Sequence, residues 1–188
     1  MNIRWGLQLL ILLVIFSIVT GAVYKTLEDR ILANSMDFDD IDIPNLLPGA
    51  SSISPTEDIE LIEDEPVETI YEAYDEDIFK GYIIKVESQG YSSIITTVVA
   101  IDNEGGISGI DVLDQNETEG LGDKIANDEY TDRFRGKTAA SPLNLVEDET
   151  IADDEIQNIT GATKSAQGVI TGVNYAIEFY NSQLKGRK

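Results

Sequence analysis

The sequence predicts an α+β protein, in which a single N-terminal transmembrane helix precedes a domain with a small antiparallel sheet and flanking helices. Three observations support this fold class. A run of 20 uncharged, mostly apolar residues lies near the N-terminus, β-branched runs separated by turn signals occupy the middle, and an amphipathic helical pattern ends the chain. The predicted segments are an N-terminal tail (1–4), the transmembrane helix (5–24), an acidic linker (25–78) and the folded domain (79–188).

The apolar run from Trp5 to Tyr24 is long enough to span a bilayer. At ~1.5 Å rise per residue it extends ~30 Å, the thickness of the hydrocarbon layer. Arg4 precedes the run and no net positive charge follows it, so the positive-inside rule places the N-terminus in the cytoplasm. The sequence therefore predicts a single-pass protein of the cell (inner) membrane with an extracytoplasmic domain. A cleavable signal peptide, with Thr20-Gly21-Ala22 as its cleavage site, is the alternative.

Composition restricts the chemistry of this chain. Its 188 residues include no Cys and no His, which excludes disulfides, iron–sulfur ligation, typical zinc sites and histidine acid–base catalysis. Redox work would therefore require a bound organic cofactor. The net charge is −22, and 15 acidic residues but no basic ones lie between Met36 and Phe79. Such a surface repels nucleic acids. We expect the acidic linker to wrap the domain or stay flexible, with docking to a basic partner as the alternative.

The domain predicted for residues 79–188 opens with an antiparallel meander of three strands. Runs rich in β-branched and aromatic residues are separated by Gly-containing turn signals. The predicted strands cover 81–87, 91–101 and 107–113. A short helix over 124–134 follows, and then a strand within 137–146 that Pro142 confines to an edge or a bulge.

The clearest helix follows Thr163. Apolar residues recur there at steps of three and four, which predicts one buried face. That face comprises Ala166, Val169, Ile170, Val173, Ala176, Ile177, Tyr180 and Leu184.

The segment Thr160-Gly161-Ala162-Thr163 lies directly before this helix and is the candidate binding site. A helix N-terminus offers unpaired N–H groups and a positive dipole end to a phosphate. Gly161 permits a tight turn, Ala162 leaves the approach uncrowded, and Lys164 adds positive charge. A purely structural interpretation explains the same spacing: Thr160 or Thr163 caps the helix, and Gly161 makes a turn.

Thr-Gly-Ala-Thr before a C-terminal helix resembles the flavinylation motif of the FMN-binding domain family. The family pattern is Asp, two variable residues, Ser or Thr, and then Gly-Ala-Thr. The resemblance implies a covalent FMN whose phosphate forms a phosphoester with the hydroxyl of Thr163, made by a separate flavin transferase. Thr160 takes the Ser/Thr position, and Gln157 stands where the family has Asp.

A second segment, from Glu117 to Lys124, resembles the loop that this family places against the flavin ring. Glu119 stands where the family commonly has Pro, and residues 134–137 resemble the Phe-x-Gly-Lys that follows. The resemblance implies cofactor contacts from Glu117, Thr118, Gly120, Leu121, Gly122 and Lys124. We expect no acid–base catalytic residue, because an electron relay needs none, and no metal ligand, because the chain has no Cys and no His.

The order of these motifs is similar to that of the RnfG family, whose members belong to Rnf electron-transport complexes. That similarity implies an electron carrier within a membrane complex coupling ferredoxin and NAD redox chemistry to Na⁺ or H⁺ movement. Its implied partners are the other Rnf subunits, which supply the membrane spans and the iron–sulfur and flavin centres. The alternatives are the related protein NqrC of Na⁺-pumping NADH:quinone oxidoreductase, a stand-alone membrane-anchored flavoprotein reductase or sensor, and a cofactor-free binding ectodomain.

Overall fold

The computed structural model of the chain describes residues 41–56, 59, 61, 65–147 and 152–187. From Asp42 onward these residues belong to one compact unit. The predicted N-terminal tail (1–4) and transmembrane helix (5–24) lie outside the described residues and stay predictions. Within the described part, no helix is both long and apolar enough to cross a membrane.

A six-stranded antiparallel sheet is the framework of the domain, and its strands are neighbours in chain order. The predicted three-stranded meander is confirmed as the third, fourth and fifth strands. The strands are β1 (Ser52–Pro55), β2 (Val67–Asp75), β3 (Ile78–Gln89), β4 (Ile94–Asp102), β5 (Gly106–Asp114) and β6 (Lys137–Thr138).

The sheet begins before residue 79, the predicted start of the folded domain. Strand β2 pairs with β3 along most of its length, and Ile70 and Ala73 on it are buried. The structure therefore differs from the prediction of a linker extending to residue 78. Glu68, Glu72 and Asp75 stand among apolar and aromatic residues on β2, so the high charge count concealed a strand.

The helices flank the sheet, as predicted. They are α1 (Ile43–Leu46), α2 (Asp128–Thr131) and α3 (Thr163–Phe179), and a π-helical turn, Tyr180–Leu184, continues α3. The prediction of one continuous helix over 124–134 is wrong. Asn127 has an extended backbone (φ −84°, ψ 144°), which divides the segment into the 3₁₀ turn Gly122–Ala126, helix α2 and the 3₁₀ turn Asp132–Phe134.

A second, two-stranded sheet leads into the candidate site. Strands β7 (Asn144–Val146) and β8 (Glu155–Gln157) pair in parallel. The strand predicted within 137–146 is therefore two strands, β6 and β7, and Pro142, which has no amide hydrogen to donate, lies between them.

Helix α3 packs against strands β2, β3 and β4. All eight residues of its predicted apolar face are buried, which confirms that part of the prediction. Gly168 brings the helix close to the sheet, because a Cβ there would lie 2.9 Å from the carbonyl oxygen of Gln89. The first turns of α3 are thereby fixed beside the turn that joins β3 to β4.

Candidate functional site

The predicted attachment residue, Thr163, is the first residue of α3, and it is exposed. The N-cap is Ala162, and no side chain caps the helix. The interpretation in which Thr160 or Thr163 is the N-cap is therefore wrong. Gly161 has a φ of +85°, the left-handed conformation that glycine adopts without strain. The first-turn amides of α3 have no partners within the helix and carry its positive dipole end.

The hydroxyl oxygen of Thr163 is held by a side chain that the sequence analysis missed. Asn158, directly after β8, donates from Nδ2 to Oγ1 of Thr163 at 2.7 Å. The same nitrogen donates to Oε1 of Glu147 at 2.7 Å. Asn158 is buried, whereas Thr160 and Lys164 on either side of Thr163 are exposed. The Thr163 hydroxyl thus faces solvent from a fixed position.

Glu117 lies inside the protein and holds the second predicted segment in place. Its carboxylate accepts hydrogen bonds from the Ser165 hydroxyl at 2.6 Å and from the backbone amides of Tyr91, Ser92 and Ser93 at 3.2, 2.9 and 3.1 Å. Burial alone would raise the pKa of Glu117, but these hydrogen bonds outweigh it and hold the pKa below its ordinary value. Glu117 therefore joins the loop to the β3–β4 turn and to the first turn of α3.

The loop that follows Glu117 is closed on itself. The amides of Leu121, Gly122 and Asp123 all donate to the carbonyl oxygen of Thr118, at 3.1, 2.8 and 3.3 Å. Gly120 takes a φ of +75° at the tip. With those backbone groups paired inside the loop, it presents side chains outward, among them Thr118 and the apolar side chain of Leu121, which is 46% exposed.

The two predicted motifs meet at two glycines. A Cβ on Gly161 would lie 3.4 Å from Cδ2 of Leu121, and a Cβ on Gly122 would lie 2.7 Å from Oγ of Ser165. Leu121 is thus an exposed apolar neighbour of the attachment segment. Segments separated by about 40 residues in sequence form one surface around Thr163.

A polar cleft of about 420 Å³ lies beside this surface. Two basic side chains, Lys124 and Arg133, line it together with Thr160. Arg133 donates from Nη1 to the carbonyl oxygens of Gln157 and Asn158, at 2.9 and 3.2 Å. Arg133 was not predicted from the sequence, and it anchors the segment that leads into the motif. The other cleft residues are Asn127, Glu129, Tyr130, Gln157, Asn158 and Ile159.

These groups fit a flavin mononucleotide. The exposed hydroxyl of Thr163 stands at an uncapped helix N-terminus, where a phosphate is favourable. Lys164 and Lys124 contribute positive charge, and Leu121 offers an apolar contact for a ring. Ser165, the remaining site residue that the sequence analysis missed, is a polar residue on the buried face of α3.

Comparison with known proteins agrees with this geometry. Residues 90–178 match the family model described as the FMN-binding domain. The RnfG protein of the Na⁺-translocating ferredoxin:NAD⁺ oxidoreductase complex of Acetobacterium woodii is 32% identical over 158 residues, covering 83% of this chain and 73% of the relative. The RnfG protein of the proton-translocating complex of Clostridium ljungdahlii is 34% identical over 98 residues, covering 52% of each chain.

Two solved structures share the fold. NqrC of Shewanella oneidensis aligns with a TM-score of 0.51 at 22% identity, covering 78% of this chain and 71% of that one. The NqrC protein of the Na⁺-translocating NADH-quinone reductase of Parabacteroides distasonis aligns with a TM-score of 0.52 at 23% identity, covering 61% and 63%.

The antiparallel sheet, its flanking helices and the matched region define an FMN-binding domain. More particularly, the chain belongs to the RnfG family of ion-translocating ferredoxin:NAD⁺ oxidoreductase complexes, which are redox-driven ion translocases.

Proposed function

We propose that this chain carries one FMN, joined by a phosphoester to Oγ1 of Thr163. The observation that carries the proposal is the exposed Thr163 hydroxyl at the start of α3, where no side chain caps the helix and Leu121 lies beside Gly161. Membership of the FMN-binding domain family supports the cofactor. The linkage to Thr163 rests on the resemblance of Thr160-Gly161-Ala162-Thr163 to the flavinylation motif.

Each residue around Thr163 has a proposed role in holding this group. The first-turn amides of α3 face the phosphate, and Lys164 and Lys124 offset its negative charge. Gly161 and Ala162 leave room for the approach, and Leu121 packs against the flavin. Bound FMN supplies one- and two-electron transfer, which no side chain of this Cys-free and His-free chain provides.

Glu117 and Gly122 act on the cofactor indirectly, by placing the loop. The carboxylate of Glu117 is satisfied by protein donors, so it positions Leu121 and Thr118 rather than binding the flavin. Thr160 and Gly120 complete the proposed contact surface at its exposed edge.

A covalent linkage suits a domain exposed to an external medium, because a tethered cofactor is not lost by dilution. We propose that residues 5–24 anchor the chain in the cell (inner) membrane with the FMN domain outside. A separate flavin transferase would attach the FMN there. In the assembled complex the flavin would relay electrons between iron–sulfur and flavin centres of other subunits, coupled to Na⁺ or H⁺ movement.

The test uses the complete complex in membrane vesicles that carry either wild-type chain or Thr163→Ala. We expect ferredoxin:NAD⁺ oxidoreductase activity to fall to background in the variant while the other subunits still assemble. Thr171→Val is the matched control, because Thr171 is on the same helix and donates only to the carbonyl oxygen of Gln167. Unchanged activity in Thr163→Ala vesicles would contradict the proposal.

A further inference from the structure

We infer that Asn158 is the positioning residue for flavin attachment: it holds Oγ1 of Thr163 as a hydrogen-bond acceptor, so that the hydroxyl proton and a lone pair face the transferase. This inference rests on the proposed attachment at Thr163. Asn158 lies outside the four-residue motif Thr160-Gly161-Ala162-Thr163.

The amide group of Asn158 is held at both ends. Nδ2 donates to Glu147 and to Thr163, each at 2.7 Å, which uses both of its hydrogens. Oδ1 accepts from the backbone amide of Ile159 at 2.8 Å. A side chain with all of these contacts has one orientation, and the donor to Thr163 is therefore fixed in place.

The backbone of Asn158 is held as well. Its amide donates to the carbonyl oxygen of Val146 at 2.8 Å, and its carbonyl oxygen accepts from Arg133 at 3.2 Å. The residue is 8% exposed. Both the main chain and the side chain are thus attached to the β7–β8 sheet and the cleft, whereas Thr163 lies five residues away at the exposed start of α3.

The direction of the hydrogen bond suits the chemistry of attachment. When Thr163 reacts with an activated flavin nucleotide, the Oγ1–P bond forms and the bond from that phosphorus to its leaving phosphate group breaks. The leaving group takes the electron pair, and the hydroxyl proton is released. A threonine that donated its proton to the protein would lose this contact on esterification. Oγ1 of Thr163 accepts instead, so its contact with Asn158 persists in the ester.

A fixed nucleophile accelerates transfer because its rotational freedom is lost before the reaction begins. Removing the donor of Asn158 should therefore slow the chemical step and leave recognition by the transferase nearly unchanged. A purely structural role predicts a different result, in which loss of activity follows loss of folding.

The experiment measures FMN incorporation into the full chain in detergent, with purified flavin transferase and its flavin nucleotide donor. The test variant is Asn158→Leu, which preserves the shape but removes both donors. We expect kcat to fall roughly tenfold with little change in the KM for the protein substrate. Asn174→Leu is the control: Asn174 makes a comparable pair of bonds to Leu143, of 2.7 and 2.9 Å, in the middle of α3. It should lower the unfolding midpoint similarly while incorporation stays at the wild-type kcat.

Equal kcat in Asn158→Leu and wild type would overturn the inference and leave the proposed attachment intact. Absence of label on wild-type Thr163 would overturn both. If Asn158→Leu does not fold, the kcat of FMN incorporation into Glu147→Ala tests the inference instead. Glu147 is exposed, and its removal frees one of the two bonds that orient the amide. We expect its kcat to fall two- to threefold, and an unchanged value would count against the inference.

Discussion

Oε2 of Glu117 accepts a hydrogen bond from the hydroxyl of Ser165 at 2.6 Å, across 48 residues of sequence. The other carboxylate oxygen accepts from the amides of Ser92 and Ser93. Three segments therefore converge on one buried carboxylate: the β3–β4 turn, the loop that presents Leu121, and the first turn of α3. The position of that loop relative to Thr163 depends on this group.

Replacing Glu117 with Ala should lower the free energy of unfolding by about 2 to 4 kcal/mol, because buried donors lose a charged acceptor. Urea unfolding of the full chain in detergent measures this difference in the free energy of unfolding. Glu119→Ala, at an exposed neighbouring position, is the control and should change the value by less than about 0.5 kcal/mol. Equal stabilities of the two variants would show that the Glu117 contacts contribute nothing.

The contribution of Glu117 to the stability of the folded protein should depend on pH. Its pKa is lower in the folded protein than the ordinary value of 4.5, so its contribution is fully present above that value. It is lost as the pH falls through the folded-state pKa. The difference in urea midpoint between wild type and Glu117→Gln should therefore shrink between about pH 7 and about pH 3. A constant difference over that range would argue against a depressed pKa.

Asp111, a half-buried residue of β5, should show the opposite dependence. Burial raises its pKa; a backbone hydrogen bond at Val112 opposes this, and the nearby carboxylates of Asp128 and Asp42 add to it. A raised pKa means that the stability contribution is present below the ordinary value of 3.8 and lost as the pH rises through the folded-state pKa. Asp111→Asn should therefore raise the urea midpoint at neutral pH and leave it unchanged near pH 3. A lower midpoint at neutral pH would refute this.

Gly122 should not tolerate a side chain. A Cβ at Gly122 would lie 2.7 Å from Oγ of Ser165 and 2.9 Å from Cβ of Glu117, so Gly122→Ala forces the loop away from α3. We expect the free energy of unfolding to fall by about 1 to 3 kcal/mol. We also expect the flavin absorption spectrum of the FMN-loaded protein to shift. Gly186→Asn, far from the loop in sequence, is the control, because a Cβ at Gly186 meets nothing within 4 Å and Asn tolerates the positive φ. A wild-type flavin spectrum in Gly122→Ala would show that the loop does not contact the flavin.

Local patterns sufficed to predict much of this structure. The three- and four-residue spacing after Thr163 predicted the buried face of α3, and β-branched runs bounded by glycines predicted the central meander. The start of α3 at Thr163 and the turn at Gly161 also followed from neighbouring residues. Such features are set within a few positions of sequence, where periodicity and backbone preferences act directly.

Contacts between distant segments could not be predicted in the same way. Nothing near Asn158 in the sequence indicates that its amide reaches back to Glu147, and nothing near Ser165 indicates a partner 48 residues earlier. Strand β2 was missed for a different reason, since its acidic residues suggested a linker although Ile70, Tyr71 and Ala73 among them are buried. The sheet determines these contacts, because it decides which loops meet at the start of α3.

The covalent bond at Thr163 can be detected in the intact mass of the full chain. The chain is extracted from membranes of a host that contains the flavin transferase, alongside Thr163→Ala and Thr171→Val. We expect wild type and Thr171→Val to be heavier than the bare chain by one FMN minus water, and Thr163→Ala to have the bare mass. A wild-type chain of unmodified mass, or a Thr163→Ala chain that still carries the added mass, would contradict it.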